Sequence, residues 1–311
     1  MKSDVNDRRT TRQQQVNWSA AWLPSSVSIF LVLAVIQSGC GFARSAARSA
    51  SANAVEGLVT SLSKQSDPEL VRQGLPTILL LLDGLVESSP EDPQLLRSAT
   101  NAYTSYCQAF LFSEEDNDRA IKLYGWARGY GLRLLRQRPF YAAALEGSSD
   151  EYDAAIQQFT VDDVPDMHAA SAAWLGWIIA DNQSMDALAD LPRALALTQR
   201  VLELDEGYGD GSGHLVFGLY YAVQPRGAGQ DLEKSKHHFE RAIELAGPGN
   251  LLPRVLYAEH YGKVTLDQDF FVSTLNDVLA TDPEEHPDRR LLNELARERA
   301  ESLLAAQEDL F

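Results

Sequence analysis

The chain has 311 residues, a net charge of −17 and two cysteines, with 45% hydrophobic and 23% charged residues. These proportions are typical of a globular protein with enough apolar residues for a core, and they exclude a disordered chain. The acidic excess repels phosphate backbones, which excludes a nucleic-acid-binding protein. It also leaves no basic surface for anionic lipids, so membrane attachment requires a separate device.

The N-terminus has the pattern of a bacterial export signal. Residues 1–26 are polar with a positive net charge, and residues 27–36 form an apolar run. That run is too short to cross a bilayer, which takes about 20 residues, and suits the core of a signal peptide. Residues 37–40 place small side chains directly before Cys40, as in a bacterial lipobox, with Gln37 where leucine is usual.

We therefore predict a lipoprotein signal peptide over residues 1–39, a lipidated N-terminus and tether over 40–66, and a helical domain over 67–311. An ordinary signal peptide and a hydrophobic N-terminal anchor are the alternatives to lipidation at Cys40. Cys107 lies in an apolar helical context, which predicts a small buried core residue. With Cys40 lipidated, no disulfide can form within the chain, so packing of the core must stabilise it.

From Asp67 onward, apolar residues recur at helical spacing and no segment alternates as a strand does, which predicts an all-α fold. Asp67 followed by Pro68 is typical of a helix N-terminus. Pro76 predicts a kink or a new cap within that first helix. The proline- and acid-rich residues 89–93 predict the end of this helix and the start of the next.

Later segments fit stacked antiparallel helix pairs, a degenerate tetratricopeptide-like array of the solenoid type. Such pairs need small residues where helices approach closely, aromatic residues in the remaining gaps, and a turn after the second helix. The pairs are recognised by Tyr103 with Tyr124, Gly176 with Ala194, Gly218 with Phe239, and Tyr257 with Phe271. Their spacing is roughly 36 to 42 residues, longer than the usual 34, and a helix over about 288–307 caps the array.

Several stretches, in this order, resemble the T component of tetratricopeptide-protein-associated TRAP transporters. They are residues 67–77, 127–132, 173–178, 185–193, 207–211, 218–221 and 309–311. The resemblance implies a periplasm-facing lipoprotein in the envelope of a Gram-negative-type bacterium, which binds the solute-binding P component and assembles as a homotrimer. It leaves open whether the protein also handles the solute. Gly41 after the cysteine differs from the aspartate that retains some lipoproteins in the inner membrane, which favours the outer membrane.

Six residues are candidates for binding a ligand or partner. They are Trp174, Trp177, Asp186, Asp190, Tyr220 and Tyr221. The aromatic residues fall on first helices of pairs, which line the concave surface of a tetratricopeptide array, although large aromatics more often fill a core. The two aspartates are four residues apart, so a helix places both on one face. That spacing suits acid–base chemistry or a cation, and equally a structural role or solvated side chains beside Arg193.

Sequence patterns of enzymes and metal sites are missing. The histidines and cysteines do not have the spacing of a metal site, and no Gly-x-Ser-x-Gly elbow occurs. The glycine-rich residues 207–213 follow a helix and lack the lysine of a P-loop, so we interpret them as a turn. We therefore predict a binding protein without catalytic residues or cofactor. The alternatives are a general envelope scaffold and an enzyme using Asp186 and Asp190.

Overall fold

The protein is described by a computed structural model. The described residues are 57, 61–111, 113–227 and 229–311. The chain divides into two units, residues 1–54 and 55–311, and all described residues belong to the second. They form helices and loops and no strand, which confirms the all-α prediction. The predicted signal peptide and the predicted lipidation site Cys40 lie outside the described residues.

Helices follow one another along the described chain with short connections. The longer ones are α1 (Pro68–Ser88), α2 (Pro93–Phe110), α3 (Asn117–Leu135), α5 (Ser149–Ile156), α6 (Val164–Ala180), α8 (Leu191–Leu204), α9 (Tyr208–Val223), α10 (Leu232–Ala246), α13 (Gln268–Ala280) and α14 (Arg290–Ala305). The shorter ones are α4 (Pro139–Ala144), α7 (Met185–Ala189), α11 (Leu252–Leu256), a π-helix (Tyr257–Gly262), α12 (Lys263–Thr265) and α15 (Gln307–Leu310).

The first two helices begin where the sequence predicts. The side chain of Asp67 accepts a hydrogen bond from the backbone N–H of Leu70 at 3.0 Å, and Asp92 caps α2 in the same way. Each cap is followed by a proline in the first turn, where its missing N–H costs nothing. Helix α1 continues through Pro76, so no new cap forms there. Leu79 beyond it is 3% exposed and anchors the helix on the core.

The helices pack in antiparallel pairs that stack on one another. Pairs form between α2 and α3, α6 and α8, and α9 and α10, while α6 also packs along α3 of the preceding pair. Close approach depends on glycine, as predicted, but Gly176 lies against Tyr124 of the preceding pair and not against Ala194, with which the sequence paired it. A Cβ on Gly176 would collide with the ring of Tyr124, and one on Gly218 would lie 2.9 Å from Cδ2 of Phe239. The glycines therefore set how closely the helices stack.

The last long helix packs against the first. Leu291 of α14 belongs to the same hydrophobic cluster as Val71 of α1, and this cluster also contains the buried Cys107. An ion pair between Lys64 Nζ and Asp288 Oδ1 at 3.0 Å adds to this contact. The two ends of the described helix array therefore meet.

The glycine-rich segment at the start of α9 interrupts the helix with a tight turn, which confirms its interpretation. Gly209, Asp210 and Gly211 all have left-handed backbone angles, with φ of 60°, 58° and 72°. Glycine adopts this conformation readily, whereas aspartate needs support from its surroundings. Arg289 supplies that support, because its Nη2 donates a hydrogen bond to Asp210 Oδ1 at 2.9 Å.

Candidate partner-binding site

Three of the predicted residues converge on Arg128 of α3. Nη2 of Arg128 lies 2.6 Å from Oδ2 of Asp190, at the junction of α7 and α8. The guanidinium carbon also lies 4.4 Å from the ring centre of Trp177 and 5.2 Å from that of Trp174. A cation above aromatic faces is attracted by their negative charge density. Arg128 therefore joins α3, α6 and the α7–α8 junction at one point.

The two tryptophans differ in what they can contact. Trp174 is 1% exposed, and its indole Nε1 donates a hydrogen bond to Asp190 Oδ2 at 3.0 Å. Trp177 is half-buried. Trp174 therefore acts on a partner only through the residues that it positions, whereas Trp177 retains some accessible surface.

The two candidate aspartates have different environments. Asp190 is half-buried and engaged by Arg128 and Trp174, while Asp186 is exposed in the first turn of α7. Asp190 is therefore taken up in a contact between helices that Asp186 does not share. In the described part of the chain, no group of three or more histidine, cysteine, aspartate or glutamate side chains is arranged to hold a metal ion.

Exposed apolar side chains lie near Asp186 in the sequence, on α7 and at the end of α6. Met185 is 78% exposed, Ile179 at the end of α6 is 58% exposed, and Leu188 of α7 is 40% exposed. We call Ile179, Met185, Asp186 and Leu188 the α7 corner. Clustered apolar side chains beside a charge are typical of protein–protein contacts, and the flexible methionine side chain adapts to varied surfaces.

The two candidate tyrosines belong to a separate aromatic cluster on the α9–α10 pair. The ring centres of Tyr220 and Tyr221 are 5.3 Å apart, and the ring planes are inclined at 66°. Tyr221 also stacks on His238 at 5.8 Å, and Lys234 Nζ lies 5.2 Å from the centre of its ring. Both tyrosines are half-buried, so each combines packing with some accessible surface.

A histidine pair next to this cluster has no counterpart in the sequence-based predictions. Nδ1 of His214 lies 2.8 Å from Nδ1 of His238, and Nε2 of His214 lies 3.1 Å from Oε1 of Glu206. Arg241 binds both oxygens of that glutamate. Burial lowers the pKa of His238 to about 4 and also lowers the pKa of His214. The Nδ1–Nδ1 hydrogen bond needs one donor and one acceptor, so it is lost when both rings are protonated.

Two further charged contacts were not predicted from the sequence. Asp166 is 4% exposed and binds Arg97, with 2.8 Å between Nη1 and Oδ1, as well as Arg138. Its partners are 69 and 28 residues away, so no local pattern reveals them. The role of Arg128 was not predicted either. One sequence feature could have indicated it, because Arg128 lies within residues 127–132, one of the stretches that carry the family resemblance.

Two cavities of the described part of the chain are lined by other residues. One of about 440 Å³ is lined by residues that include Arg254 and His286, and one of about 270 Å³ by residues that include Arg200 and Glu203. Neither lining contains a predicted binding residue. The exposure of Met185, Ile179 and Leu188 makes the α7 corner an open surface, which fits a macromolecular partner better than an enclosed small ligand.

The stacked helix pairs of the described residues define a protein of the helical-repeat class. Residues 64–311 match the family model of the TRAP transporter T-component, and the chain belongs to that family. It is also similar to an uncharacterized protein of Treponema pallidum (strain Nichols), with 25% identity over 265 residues, which is 80% of this chain and 82% of that protein.

Membership in this family has two direct consequences. The family is an accessory transporter component rather than a known enzyme family, and its role associates the chain with the cell envelope. Among the described helices, none is both long and apolar enough to cross a membrane.

Proposed function

We propose that this T component binds the solute-binding P component of its TRAP transporter through the α7 corner. The observation that carries the proposal is the exposure of Met185, at 78%, beside Ile179 and Leu188. Burying these side chains against a partner removes apolar surface from water, at about 25 cal/mol per Å². Asp186 supplies a charge at the rim of the contact, which favours one orientation of the partner.

The Arg128–Asp190 contact holds the α7 corner in a fixed position before the partner binds. It fixes the end of α7 to α3, and Trp174 holds Asp190 in place by a hydrogen bond. A rigid surface loses less conformational freedom when a partner binds, so more of the interaction energy appears as affinity. In this proposal Arg128, Trp174 and Asp190 are positioning residues, and the α7 corner and the accessible part of Trp177 make the contact.

Tyr220 and Tyr221 provide a second surface in the proposal. Their half-buried rings, with Lys234 nearby, suit an extended partner contact or a solute passed between the two proteins. Aromatic rings contribute large contact areas with little loss of side-chain freedom.

The remaining parts of the proposal rest on the family and on the N-terminal sequence. A lipid on Cys40 holds the protein on one membrane surface, with the helical domain facing the periplasm and the outer membrane as the site of anchoring. The protomers assemble as a homotrimer. Light scattering on the detergent-solubilised full-length protein tests the assembly, because a homotrimer has three times the mass of the chain, and trimers that associate further have a multiple of that mass.

Affinity capture of the full-length protein from its native envelope tests the function. We expect the P component to be recovered with it, whereas a general envelope scaffold would recover other envelope proteins without it. Failure of the purified proteins to associate at roughly 10 μM would count against the proposal, since specific partners commonly bind more tightly than this.

A further inference from the structure

Helix α1 has two apolar faces, and only one of them is covered by the described residues. The core side contains Val71, Leu79, Leu82 and Val86. The other side exposes Leu70 to 58%, Leu80 to 69% and Leu81 to 62%. At 100° per residue, these leucines share one side of the helix with Gln73, Gly74, Thr77 and Gly84, all of which are exposed. We call these seven residues the outer face of α1.

The outer face of α1 carries no charged side chain, which suits contact with the same face of an identical chain. Residues 74–82 contain no ionisable side chain, although the whole chain has a net charge of −17. Next to the face, Arg72 Nε lies 3.4 Å from a carboxylate oxygen of Glu69. In a two-fold contact each patch meets itself, so any net charge on the patch would oppose association. A partner of different sequence could instead complement the acidic charge.

The shape of the face is self-complementary. In two antiparallel α1 helices related by a two-fold axis through Thr77, residues seven positions before and after Thr77 lie opposite each other, and a residue three positions before it lies opposite one four positions after it. Leu70 then faces Gly84, and Leu81 faces Gly74. A Cβ on either glycine would meet nothing within 4 Å, so each leaves space for a leucine of the other copy. Leu80 faces the aliphatic stem of Gln73. Leucine knobs thus meet gaps, as close helix packing requires.

We propose that the outer face of α1 joins two copies of this chain in an antiparallel, two-fold helix contact centred on Thr77. The contact is independent of P-component binding at the α7 corner. It gives a particle of two chains, or of six chains if the proposed homotrimer also forms.

Light scattering of the full-length protein in detergent tests this contact. The double variant Leu80→Glu/Leu81→Glu places charges on both sides of the axis, and we expect it to halve the protein mass of the particle. Val223→Glu, which alters a 55% exposed side chain on α9, is the matched control and should leave the mass unchanged. Circular dichroism should show the same helix content for all three proteins, and all three should bind the P component equally.

Cross-linking tests the position of the axis. Thr77→Cys should form a covalent dimer on mild oxidation, while the unsubstituted protein, with Cys40 and Cys107, should not. The proposal is overturned if the particle contains one or three chains, or if the glutamate variants leave its mass unchanged. It is also overturned if those variants weaken binding to phosphatidylcholine vesicles without changing the mass, because the face would then contact lipid.

Discussion

Arg128 and Asp190 are 62 residues apart in the chain, and their side chains meet with 2.6 Å between Nη2 and Oδ2. Each is flanked by a tryptophan contact: Arg128 lies over Trp177, and Asp190 accepts the indole N–H of Trp174. A charged contact shielded by two large rings is less screened by solvent than one on the open surface. It connects the centre of the helix array to the corner that we propose as the partner contact.

Replacing Arg128 by alanine should lower the free energy of unfolding by about 1–3 kcal/mol, because Asp190 is left half-buried without its cation. Urea denaturation measures this. Lys236→Ala is the control, since the exposed Lys236 Nζ lies 3.9 Å from Glu240 and such pairs contribute less than about 1 kcal/mol. Equal effects of the two substitutions would show that the Arg128 contact does not stabilise the fold.

Gly176→Ala should destabilise the protein by about 1–3 kcal/mol, because its methyl group would collide with the ring of Tyr124 in the α3–α6 packing. Gly129→Ala in α3 is the matched control, since a Cβ there meets nothing within 4 Å. Alanine is the better helix former, so the control should be neutral or stabilising by up to about 1 kcal/mol. Thermal denaturation distinguishes the two; a stable Gly176→Ala variant would contradict the close packing.

Stability should fall as the pH drops from 6.5 towards 4, because burial lowers the pKa of His238 to about 4 in the folded protein. The unfolded chain keeps the ordinary value near 6.5 and therefore binds the proton more readily in this range. The pKa of His214 is lowered too, so it contributes with the same sign.

His238→Gln should reduce this pH dependence. The urea midpoints of the His238→Gln variant and the unsubstituted protein are compared between pH 7 and about 5. Glu206 does not titrate in this range, because its hydrogen bonds with Arg241 lower the pKa of its carboxylate to about 2. The other buried histidines are present in both proteins, so the difference isolates the His214–His238 pair. Parallel pH profiles would contradict the role of this pair.

Cys40→Ser should abolish lipid attachment and release the protein from the membrane fraction. Mass spectrometry of the unsubstituted protein should show a mature N-terminus at Cys40 that carries acyl chains. Detection of residues 1–39 in the mature protein would favour an uncleaved hydrophobic anchor, and an unmodified Cys40 would favour an ordinary signal peptide. Either result would contradict the predicted lipid anchor.

Local patterns were sufficient to predict the helical fold. Capping aspartates at 67 and 92 act through neighbouring backbone groups, so their positions can be deduced from sequence. Gly218 marked the approach to its paired helix correctly, whereas Gly176 lies against Tyr124 of the preceding pair instead of Ala194. What sequence could not show was that Leu291 packs near Val71 and brings the ends of the array together, since this depends on the summed rotation of every pair.

The candidate site was predictable only in part. Spacing along a helix placed Trp174 and Trp177 together, but it could not show that one is buried and the other half-exposed. The four-residue spacing of Asp186 and Asp190 suggested a pair on one helix face. In the structure α7 has only five residues, and Asp190 at its end binds Arg128 instead. Contacts between residues far apart in sequence, such as His214 with His238, left no local pattern to detect.

The most direct test of the central claim is the affinity of the full-length protein for its P component, measured with and without the double substitution Met185→Glu/Leu188→Glu. Leu292→Glu, at a 44% exposed position on α14, is the control. Loss of a hot-spot side chain at the centre of an interface costs about 2 kcal/mol or more, so we expect affinity to fall by at least about 30-fold for the double variant and to stay unchanged for the control. Equal affinity for the double variant and the unsubstituted protein would contradict the assignment of the α7 corner as the partner contact.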